Sequence, residues 1–347
     1  MKTKIRLRSA ASILLAAIVL IALAAPASLQ AQEQIESDPL PSWRDGYAKR
    51  AILRFVRQVC DKSSPTYVRP EERIAAFDDG GTLATEWPRH VNQPQMVFAR
   101  QRVKAMAKQD PKKKFQWKYQ RPFSFILDGD DEELGESLKN LWDMLDLLRV
   151  TNGGMTVDEF SSVVQDFLKT AKHPKFDVPF TEVAYQPMLE LLALLRANDF
   201  KAYIVTNYGA DFVRELSESV YGIPRDRVIG TTPEYEFKEG PNGGYLARKP
   251  NIDIFNERSM KAENIQLHIG RRPILVAGDT NGDLAMMEMA EGGKHPFLNL
   301  LVRHDDAKRE FAYEEKTNKV FEIAQSHEWT IVSMKNDFNK VFGFQKK

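Results

Sequence analysis

The chain has very little cysteine, few and scattered histidines, and almost no net charge. Cys60 is the only cysteine among 347 residues, so no intramolecular disulfide can form. No pair among the six histidines has the spacing of zinc ligands, and a histidine-based metal site is therefore not expected. A formal net charge of +1 gives no global reason to expect a nucleic acid or an anionic membrane as partner. Recognition of a partner must therefore depend on local groups of residues.

The N-terminus has the pattern of a secretory signal peptide. Residues 10–25 form an uncharged apolar run, and small residues such as Ala27 and Ala31 follow it as at a cleavage site. Four basic residues precede the run: Lys2, Lys4, Arg6 and Arg8. We predict that residues 1–31 are removed on export, so that the mature protein is periplasmic or secreted and has no membrane partner. The alternative is an uncleaved anchor, since the run is only slightly shorter than a spanning helix.

One stretch joins an apolar run of strand length to two carboxylates and two glycines: Ile74-Ala75-Ala76-Phe77-Asp78-Asp79-Gly80-Gly81-Thr82-Leu83. An apolar run without alternation predicts a strand buried on both faces, and therefore a parallel sheet in an α/β domain. Carboxylates at the carboxyl end of such a strand lie in the crevice where open α/β sheets bind ligands. The pattern suits a nucleophilic or metal-binding Asp78, and the alternative is an ordinary Asp/Gly turn.

Strand and helix patterns alternate along most of the mature chain and predict a doubly wound, Rossmann-like parallel sheet of the α/β class. The alternation stops after the first strand and resumes near residue 185. We therefore predict an α/β core from residues 32–85 and 185–347, with residues 86–184 inserted as a helical cap domain over the end of that strand. Helices are predicted in the cap at residues 95–106, 130–150 and 156–171.

Several smaller patterns carry predictions of their own. Thr156 and Glu159 have the spacing of a capping box at the start of the third cap helix. Apolar residues recur at helical spacing between residues 51 and 59, a short strand is predicted at 228–230, and Pro241-Asn242-Gly243-Gly244 predicts a hairpin turn. Phe115, Trp117 and Tyr119 follow three lysines, a mixture found in proteins that bind single-stranded nucleic acid. The favoured interpretation of that stretch is a solvated lid surface, and no nucleic acid is predicted as a partner.

Three further positions place reactive side chains at the ends of predicted elements. Thr206 and Asn207 follow a buried strand, where a hydroxyl, an amide and backbone N–H groups can hold an anionic oxygen. Lys261 lies on a helix after the predicted hairpin. Another apolar strand, at residues 274–277, is followed by glycine and by two acids four residues apart, Asp279 and Asp283.

Taken in order, these four motifs resemble those of the haloacid dehalogenase superfamily. The likeness is greatest to its exported, phosphoserine-phosphatase-like phosphohydrolases with a helical cap, and it covers most of the mature chain. The resemblance implies that Asp78 is the nucleophile, which attacks a phosphoryl group and forms an aspartyl-phosphate. It implies that Thr206 donates a hydrogen bond to a phosphoryl oxygen and that Lys261 offsets negative charge in the site.

The resemblance also implies a Mg²⁺ cofactor and a small phosphorylated substrate. Mg²⁺ prefers oxygen ligands in octahedral geometry. The ligands implied are the carboxylates of Asp78, Asp279 and Asp283 and the backbone carbonyl of Gly80. The residues implied to contact the substrate are Gly81, Thr206, Asn207 and Lys261.

The chain departs from the family at one position. The family's phosphatases carry a second Asp two residues after the nucleophile, where it protonates the leaving group and then activates water, but this chain has Gly80 there. Asp79 is a poor substitute, because adjacent residues leaving a strand point to opposite sides. Losing general acid–base help typically costs about 10²–10⁴-fold in rate. A Gly80→Asp variant is therefore predicted to hydrolyse alkyl phosphates at least about tenfold faster.

Two functions follow from this pattern. The first is a Mg²⁺-dependent phosphohydrolase acting on substrates whose leaving group needs no proton, such as phosphoanhydrides or acidic phosphoesters. The alternative is a catalytically impaired protein that binds a phosphate ligand or a partner on the same fold. Gly80 favours the second function, while the presence of Asp78, Thr206, Lys261 and Asp279 favours the first.

Overall fold

The computed structural model describes residues 38–313 and 319–345, so the predicted signal peptide, residues 1–31, lies outside the described residues. Within the described part of the chain, no helix has both the length and the apolar character needed to cross a membrane. The strands, in chain order, are β1 (Ile74–Phe77), β2 (Met155–Thr156), β3 (Lys201–Gly209), β4 (Val228–Gly240), β5 (Gly243–Ile254), β6 (Leu275–Gly278), β7 (Leu298–Arg303) and β8 (Thr330–Ser333).

Strand β1 lies inside an eight-stranded sheet whose order is β2-β5-β4-β3-β1-β6-β7-β8. It runs parallel to both of its neighbours, β3 and β6, and is buried along its whole length. Ala75 and Phe77 pack into the core on one face of the sheet, and Ala76 packs into the core on the other. The predicted parallel strand, buried on both faces, is therefore confirmed.

Helices cover both faces of this sheet. In chain order they are α1 (Tyr47–Cys60), α2 (Pro94–Gln109), α3 (Pro111–Trp117), α4 (Phe123–Asp128), α5 (Asp131–Ser137), α6 (Leu141–Asn152), α7 (Val157–Thr170), α8 (Gln186–Ala197), α9 (Ala210–Tyr221), α10 (Ser259–Ile269), α11 (Leu284–Glu291), α12 (Lys319–Ser326) and α13 (Met334–Asp337). Helices α1, α8 and α9 contribute to the core that contains Phe77, whereas α10, α11 and α12 contribute to the core that contains Ala76. The predicted doubly wound α/β fold is confirmed by this arrangement.

Helix α1 shows how the sequence pattern becomes packing. Its buried apolar residues include Ile52, Phe55, Val56 and Val59, which form one stripe that contacts the same core as Phe77. Burying one such side chain is worth about 1.5–3 kcal/mol. The helix predicted from the apolar spacing is therefore confirmed.

The inserted segment, residues 86–184, packs partly on itself and partly on the main core. Helices α2 to α6 share a buried cluster of their own, which includes Met96, Val103 and Leu147. Helix α7 instead contributes Phe160 to the main core, and β2 pairs antiparallel with β5. The insertion is thus attached to the sheet by a strand pair and by side chains of more than one helix, since Phe98 of α2 also packs in the main core.

The single helix predicted at residues 130–150 is wrong, because the structure divides it into α5 and α6. The side chain of Asn140 accepts a hydrogen bond from the backbone N–H of Trp142 at 2.9 Å and so begins a new helix. Residues 111–117, which include the three lysines for which no helix was predicted, form helix α3. The Asp110 side chain caps it by accepting from the N–H of Lys112 at 3.0 Å. Local side-chain caps, which the apolar pattern does not contain, decide both boundaries.

Two local predictions agree with the structure and one was too short. The capping box is confirmed, since Thr156 Oγ1 accepts from Glu159 N at 3.1 Å and the Glu159 carboxylate accepts from Thr156 N at 2.8 Å. The hairpin turn is confirmed by the pairing of Gly240 with Gly243. The strand predicted at 228–230 continues to Gly240, because pairing with β5 supports its exposed outer half.

The register of the central strands brings their carboxyl ends together. Phe77 pairs with Ile204 on one side and with Ala277 on the other. Because these strands are parallel, the residues that follow them emerge at the same edge of the sheet. Asp78 and Asp279 therefore meet at this edge, although about two hundred residues of chain separate them.

Candidate active site

The side chain of Lys261, on helix α10, lies between two carboxylates. Its Nζ atom donates hydrogen bonds to Asp78 Oδ1 and to Asp283 Oδ1, each at 2.7 Å. Only 2% of the lysine side chain is exposed, so water does little to screen these charges. Three of the predicted site residues, taken from three different motifs, are therefore in direct contact.

Asp283 also fixes the loop that follows β6. Its Oδ2 atom accepts hydrogen bonds from the backbone N–H of Asp279 at 3.0 Å and of Thr280 at 3.1 Å. The loop is tight, since a Cβ atom on Gly278 would lie 2.5 Å from the Cβ of Asp283. The spacing of four residues thus lets one acid hold the loop while the other, Asp279, faces the cluster.

The acidic residues are arranged as a cation site would require. Asp78, Asp279 and Asp283 each offer one carboxylate oxygen, and these three oxygens lie within 4.8 Å of one another. Asp279 Oδ1 is buried and has no hydrogen-bond partner among the residues that the structure describes. A buried, unpaired carboxylate oxygen is costly unless a cation or a donor completes it. Because Mg²⁺ takes carboxylate oxygens, these residues fit the predicted metal.

Electrostatics agree with a missing positive charge. Burial raises the pKa of Asp78 well above its usual value, although Lys261 opposes the shift. Burial likewise raises the pKa of Asp279 to about 6. Burial acts to lower the pKa of Lys261, but the charges of Asp283 and Asp78 outweigh it and hold that pKa above its ordinary value. Lys261 therefore stays charged, and its one ammonium group pairs with two carboxylates, those of Asp78 and Asp283.

Two basic residues that the sequence analysis missed lie beside Asp279. Arg89 Nη2 is 3.3 Å from Asp279 Oδ2, and His304 Nε2 is 3.6 Å from the same oxygen. Burial acts to lower the pKa of His304, but Asp279 and Glu310 raise it to about 9. His304 directly follows β7, and its place at the carboxyl end of a parallel strand is the sequence signal that would have found it.

A stack of rings supports this side of the site. Tyr313 stacks on His304 and on Trp87, with ring centroids 4.2 Å apart in each case. The stack joins the start of the inserted segment to the end of β7. It therefore holds in place the chain that carries Arg89 and the ring that faces Asp279.

The second motif is placed at the same edge but is only partly open to a ligand. Asn207 lines the cavity described below, and its carbonyl accepts a hydrogen bond from Thr231 Oγ1 at 2.7 Å. Thr206 is fully buried, and its hydroxyl accepts a hydrogen bond from the backbone N–H of Tyr208 at 3.1 Å. Thr206 is not one of the described residues that line the cavity. The implied contact between Thr206 and a phosphoryl oxygen stays a prediction.

The two glycines of the first motif are required by their surroundings. Gly81 has φ +80°, and a Cβ atom there would lie 2.4 Å from Asp279 Oδ2. A Cβ atom on Gly80 would lie 2.0 Å from the Tyr208 hydroxyl and 3.0 Å from Glu86 Oε2. The contact of Gly81 with a substrate stays a prediction, but its close approach to Asp279 already explains the residue type.

The surroundings of Gly80 place a steric obstacle before one expectation from sequence, which stays a prediction. A Gly80→Asp variant was expected to restore a proton donor and speed the hydrolysis of alkyl phosphates. The structure has no room for that side chain, because the hydroxyl and ring of Tyr208 occupy the space where its Cβ would begin. The single substitution is therefore expected to displace Tyr208 and the loop rather than to add an acid.

Asp79 is turned away from the cluster, as the alternation of side chains along a strand predicts. Its Oδ1 atom accepts a hydrogen bond from the Tyr221 hydroxyl at 2.7 Å, and the residue is 4% exposed. It is not one of the described residues that line the cavity. The expectation that Asp79 is a poor substitute for the missing acid agrees with this placement and stays a prediction.

A cavity of about 1220 Å³ opens in front of Asp78. Asp78, Lys261 and Asp279 lie on its wall from the sheet side. The inserted segment supplies the facing residues, among which are Gln95, Met96, Glu132, Lys139 and Leu148. A cavity of this size holds a small organic ligand. The fold and the acidic cluster thus define an α/β protein with an open cavity for a small ligand, suited to a cation at the carboxyl edge of the sheet.

Comparison with solved structures gives likenesses of low identity. A functionally unknown protein from Anaerococcus prevotii matches with 15% identity and a TM-score of 0.47, over 82% of this chain and 91% of that one. Cytosolic 5'-nucleotidase IIIB, solved with bound cytidine, matches with 13% identity and a TM-score of 0.43, over 84% and 86% of the two chains. A phosphoserine phosphohydrolase-like protein from Francisella tularensis matches with 11% identity and a TM-score of 0.35, over 73% and 99%.

No family model and no curated protein matches the chain. The similar solved structures also include a hydrolase described as of the haloacid dehalogenase family and a phosphoserine phosphatase. All of these TM-scores lie below 0.5, so a function has to be argued from the residues of this site. The four predicted motifs do converge here, as the resemblance to the haloacid dehalogenase superfamily implies.

Proposed function

We propose that the protein is an exported, Mg²⁺-dependent phosphohydrolase that acts on a small phosphorylated molecule through Asp78. One observation carries the proposal: Asp78 touches Lys261 at 2.7 Å and lies within 4.8 Å of the ligand oxygens of Asp279 and Asp283. A nucleophile, a fixed cation and an oxygen-lined metal site are the parts that phosphoryl transfer needs. Residues 86–184 act as a cap that encloses the substrate, since closure excludes water and aligns the reacting groups.

Each residue then has a defined task. A carboxylate oxygen of Asp78 attacks phosphorus, the bond to the leaving-group oxygen breaks, and an aspartyl-phosphate forms. Water then attacks this acyl phosphate, releasing inorganic phosphate and restoring the carboxylate. Lys261 keeps Asp78 in place and offsets the charge of the incoming phosphoryl group. Mg²⁺, when held by Asp78, Asp279, Asp283 and the Gly80 carbonyl, supplies further charge neutralisation between carboxylates and phosphate.

The absence of an acid at Gly80 restricts the substrates. A leaving group that departs as a stable anion needs no proton, so phosphoanhydrides and acidic phosphoesters suit the site better than alkyl phosphates. The second candidate function is a binding protein for a phosphate ligand on the same fold. Gly80 is the observation that favours it.

The test uses the mature chain from Gln32 with p-nitrophenyl phosphate and an alkyl phosphate. We expect Mg²⁺-dependent release of p-nitrophenol, little hydrolysis of the alkyl ester, and loss of activity in Asp78→Asn. Asp79→Asn is the matched control, because the amide oxygen can still accept from Tyr221 and the residue does not line the cavity. Phosphate binding by calorimetry without any turnover would support the binding protein instead, and equal loss in both variants would contradict the role of Asp78.

A further inference from the structure

Tyr208 carries a hydroxyl group that the rest of the protein leaves unused. The residue is 8% exposed, and its hydroxyl oxygen is buried and has no hydrogen-bond partner in the described part of the chain. A buried hydroxyl without a partner is unfavourable, and in native proteins it is usually completed by something else. The residue lines the same cavity as Asp78 and Gly80, so that a bound ligand is able to complete it.

The position of the hydroxyl relative to Gly80 identifies which part of a ligand it would meet. It lies 2.0 Å from the point that a Cβ atom of Gly80 would occupy, so it fills the space directly over the glycine. Gly80 comes two residues after Asp78 and lines the cavity formed with the inserted segment. A phosphoryl group in contact with Asp78 would hold its leaving group on the side away from Asp78, because attack and departure are in line, and Tyr208 lines the same cavity.

We infer that Tyr208 is a substrate-contacting residue whose hydroxyl donates a hydrogen bond to the leaving-group oxygen. The inference rests on the proposed phosphohydrolase function and deepens it. The hydroxyl keeps its proton throughout: the bond from phosphorus to the leaving oxygen breaks, the electron pair stays on that oxygen, and the hydrogen bond stabilises the charge. Burial and the nearby carboxylates of Glu86 and Asp79 raise the pKa of Tyr208 well above its usual value, in agreement with a group that stays protonated.

This arrangement selects a substrate class. A donor that is not released as a proton helps a leaving group that carries its own negative charge, such as a phenolate, an enolate or another phosphate. The hydrogen bond alone does not make an alkoxide a competent leaving group, because an alkoxide needs a full proton transfer. Tyr208 therefore provides a physical reason why a phosphatase with glycine at position 80 would act on aryl, enol or anhydride phosphates.

The test is the dependence of rate on the leaving group in Tyr208→Phe, which removes one oxygen. For wild type and variant, kcat/KM is measured with Mg²⁺ for phenyl phosphates whose phenols range from strongly to weakly acidic. We expect phenyl phosphate to lose about tenfold or more and p-nitrophenyl phosphate less than about threefold, because the poorer leaving group carries more charge. An equal loss for both substrates, or no loss, overturns the inference while leaving the proposed function standing.

Tyr221→Phe is the matched control. This tyrosine is also buried, but its hydroxyl already donates to Asp79. We expect Tyr221→Phe to leave the dependence of the rate on the leaving group unchanged. Tyr208→Phe should not lower Tm, since no protein hydrogen bond is lost. A clear fall in Tm of Tyr208→Phe would point to a structural hydroxyl and overturn the inference.

Binding separates this inference from the proposed function. If wild type hydrolyses none of the esters, the dissociation constant of phenyl phosphate is compared by calorimetry in wild type and Tyr208→Phe. A weakening of about fivefold or more supports the contact, and equal affinity overturns it. If wild type neither hydrolyses nor binds phenyl phosphate, the proposed function fails and the inference fails with it.

Discussion

Replacing Lys261 with methionine should destabilise the protein more than an ordinary buried substitution. The ammonium group contacts Asp78 and Asp283 at 2.7 Å each and is 2% exposed, so its loss leaves two buried carboxylates without their cation. Breaking a buried ion pair by removing one partner typically costs about 3–5 kcal/mol. Domains are stable by only about 5–15 kcal/mol, so the loss is a large part of the total. Methionine keeps the length and the apolar stem, which limits any cavity.

The assay is urea unfolding in EDTA and again in Mg²⁺. In EDTA we expect the free energy of unfolding of Lys261→Met to fall by about 3–5 kcal/mol. Mg²⁺ at a hundred times its dissociation constant adds about 2.7 kcal/mol to any form that binds it only when folded. Because the variant has a larger excess of negative charge at Asp78, Asp279 and Asp283, its Mg²⁺ affinity should rise and the metal should stabilise it more than wild type.

Lys49→Met is the matched control. Lys49 is also buried, but its carboxylate partner Asp45, at 3.1 Å, is 92% exposed and stays hydrated when the lysine is lost. We expect a cost of about 1 kcal/mol, as for a surface pair, and no extra effect of Mg²⁺. A cost below about 1 kcal/mol for Lys261→Met in EDTA would refute the view that its ammonium holds the acidic cluster together.

Three further outcomes are expected. Gly80→Ala should lower the free energy of unfolding by about 1–3 kcal/mol in thermal unfolding, because its Cβ would lie 2.0 Å from the Tyr208 hydroxyl. In a Tyr208→Ala background the same substitution should cost nothing. Additive effects of the two substitutions would contradict the steric explanation. Burial lowers the pKa of His173 to about 4, so the unfolded chain binds more protons than the folded chain between pH 6.5 and pH 4. The free energy of unfolding should therefore fall by up to about 3 kcal/mol as the pH drops through this range. His173→Asn should flatten that part of the stability curve, and an unchanged slope would show that other groups cause it. Thr156→Ala should cost about 0.5–2 kcal/mol, measured by urea unfolding, because the Glu159 N–H loses its cap; no change would rule out a stabilising cap.

Much of the architecture was predictable because it depends on local pattern. The unbroken apolar run at residues 74–77 specifies a strand buried on both faces, and the stripe in α1 specifies one buried helix face. The capping box of Thr156 is equally local. The division between α5 and α6 was missed because it depends on a single capping side chain, Asn140, within an otherwise helical pattern.

The site was predictable in its main members and hidden in its surroundings. Asp78, Lys261, Asp279 and Asp283 follow from residue type and position, because parallel strands deliver their ends to one edge of a sheet. Their contacts through Lys261 agree with that expectation. Tyr208 was missed, since a lone tyrosine carries no pattern until its neighbours in space are known. His304 was missed although its place directly after β7 is a sequence signal.

The sequence by itself determined an α/β chain with reactive side chains after its buried strands. The spacing of apolar residues that specifies a strand or a helix involves only a few neighbouring residues. Only the tertiary structure decided what surrounds Gly80, because Tyr208 lies more than a hundred residues along the chain and approaches only when β3 pairs beside β1. Steric fit and hydrogen bonding act over a few ångströms, and no sequence spacing encodes them. For that reason a substitution that looked like the repair of a missing acid becomes, in the folded protein, a clash with a hydroxyl.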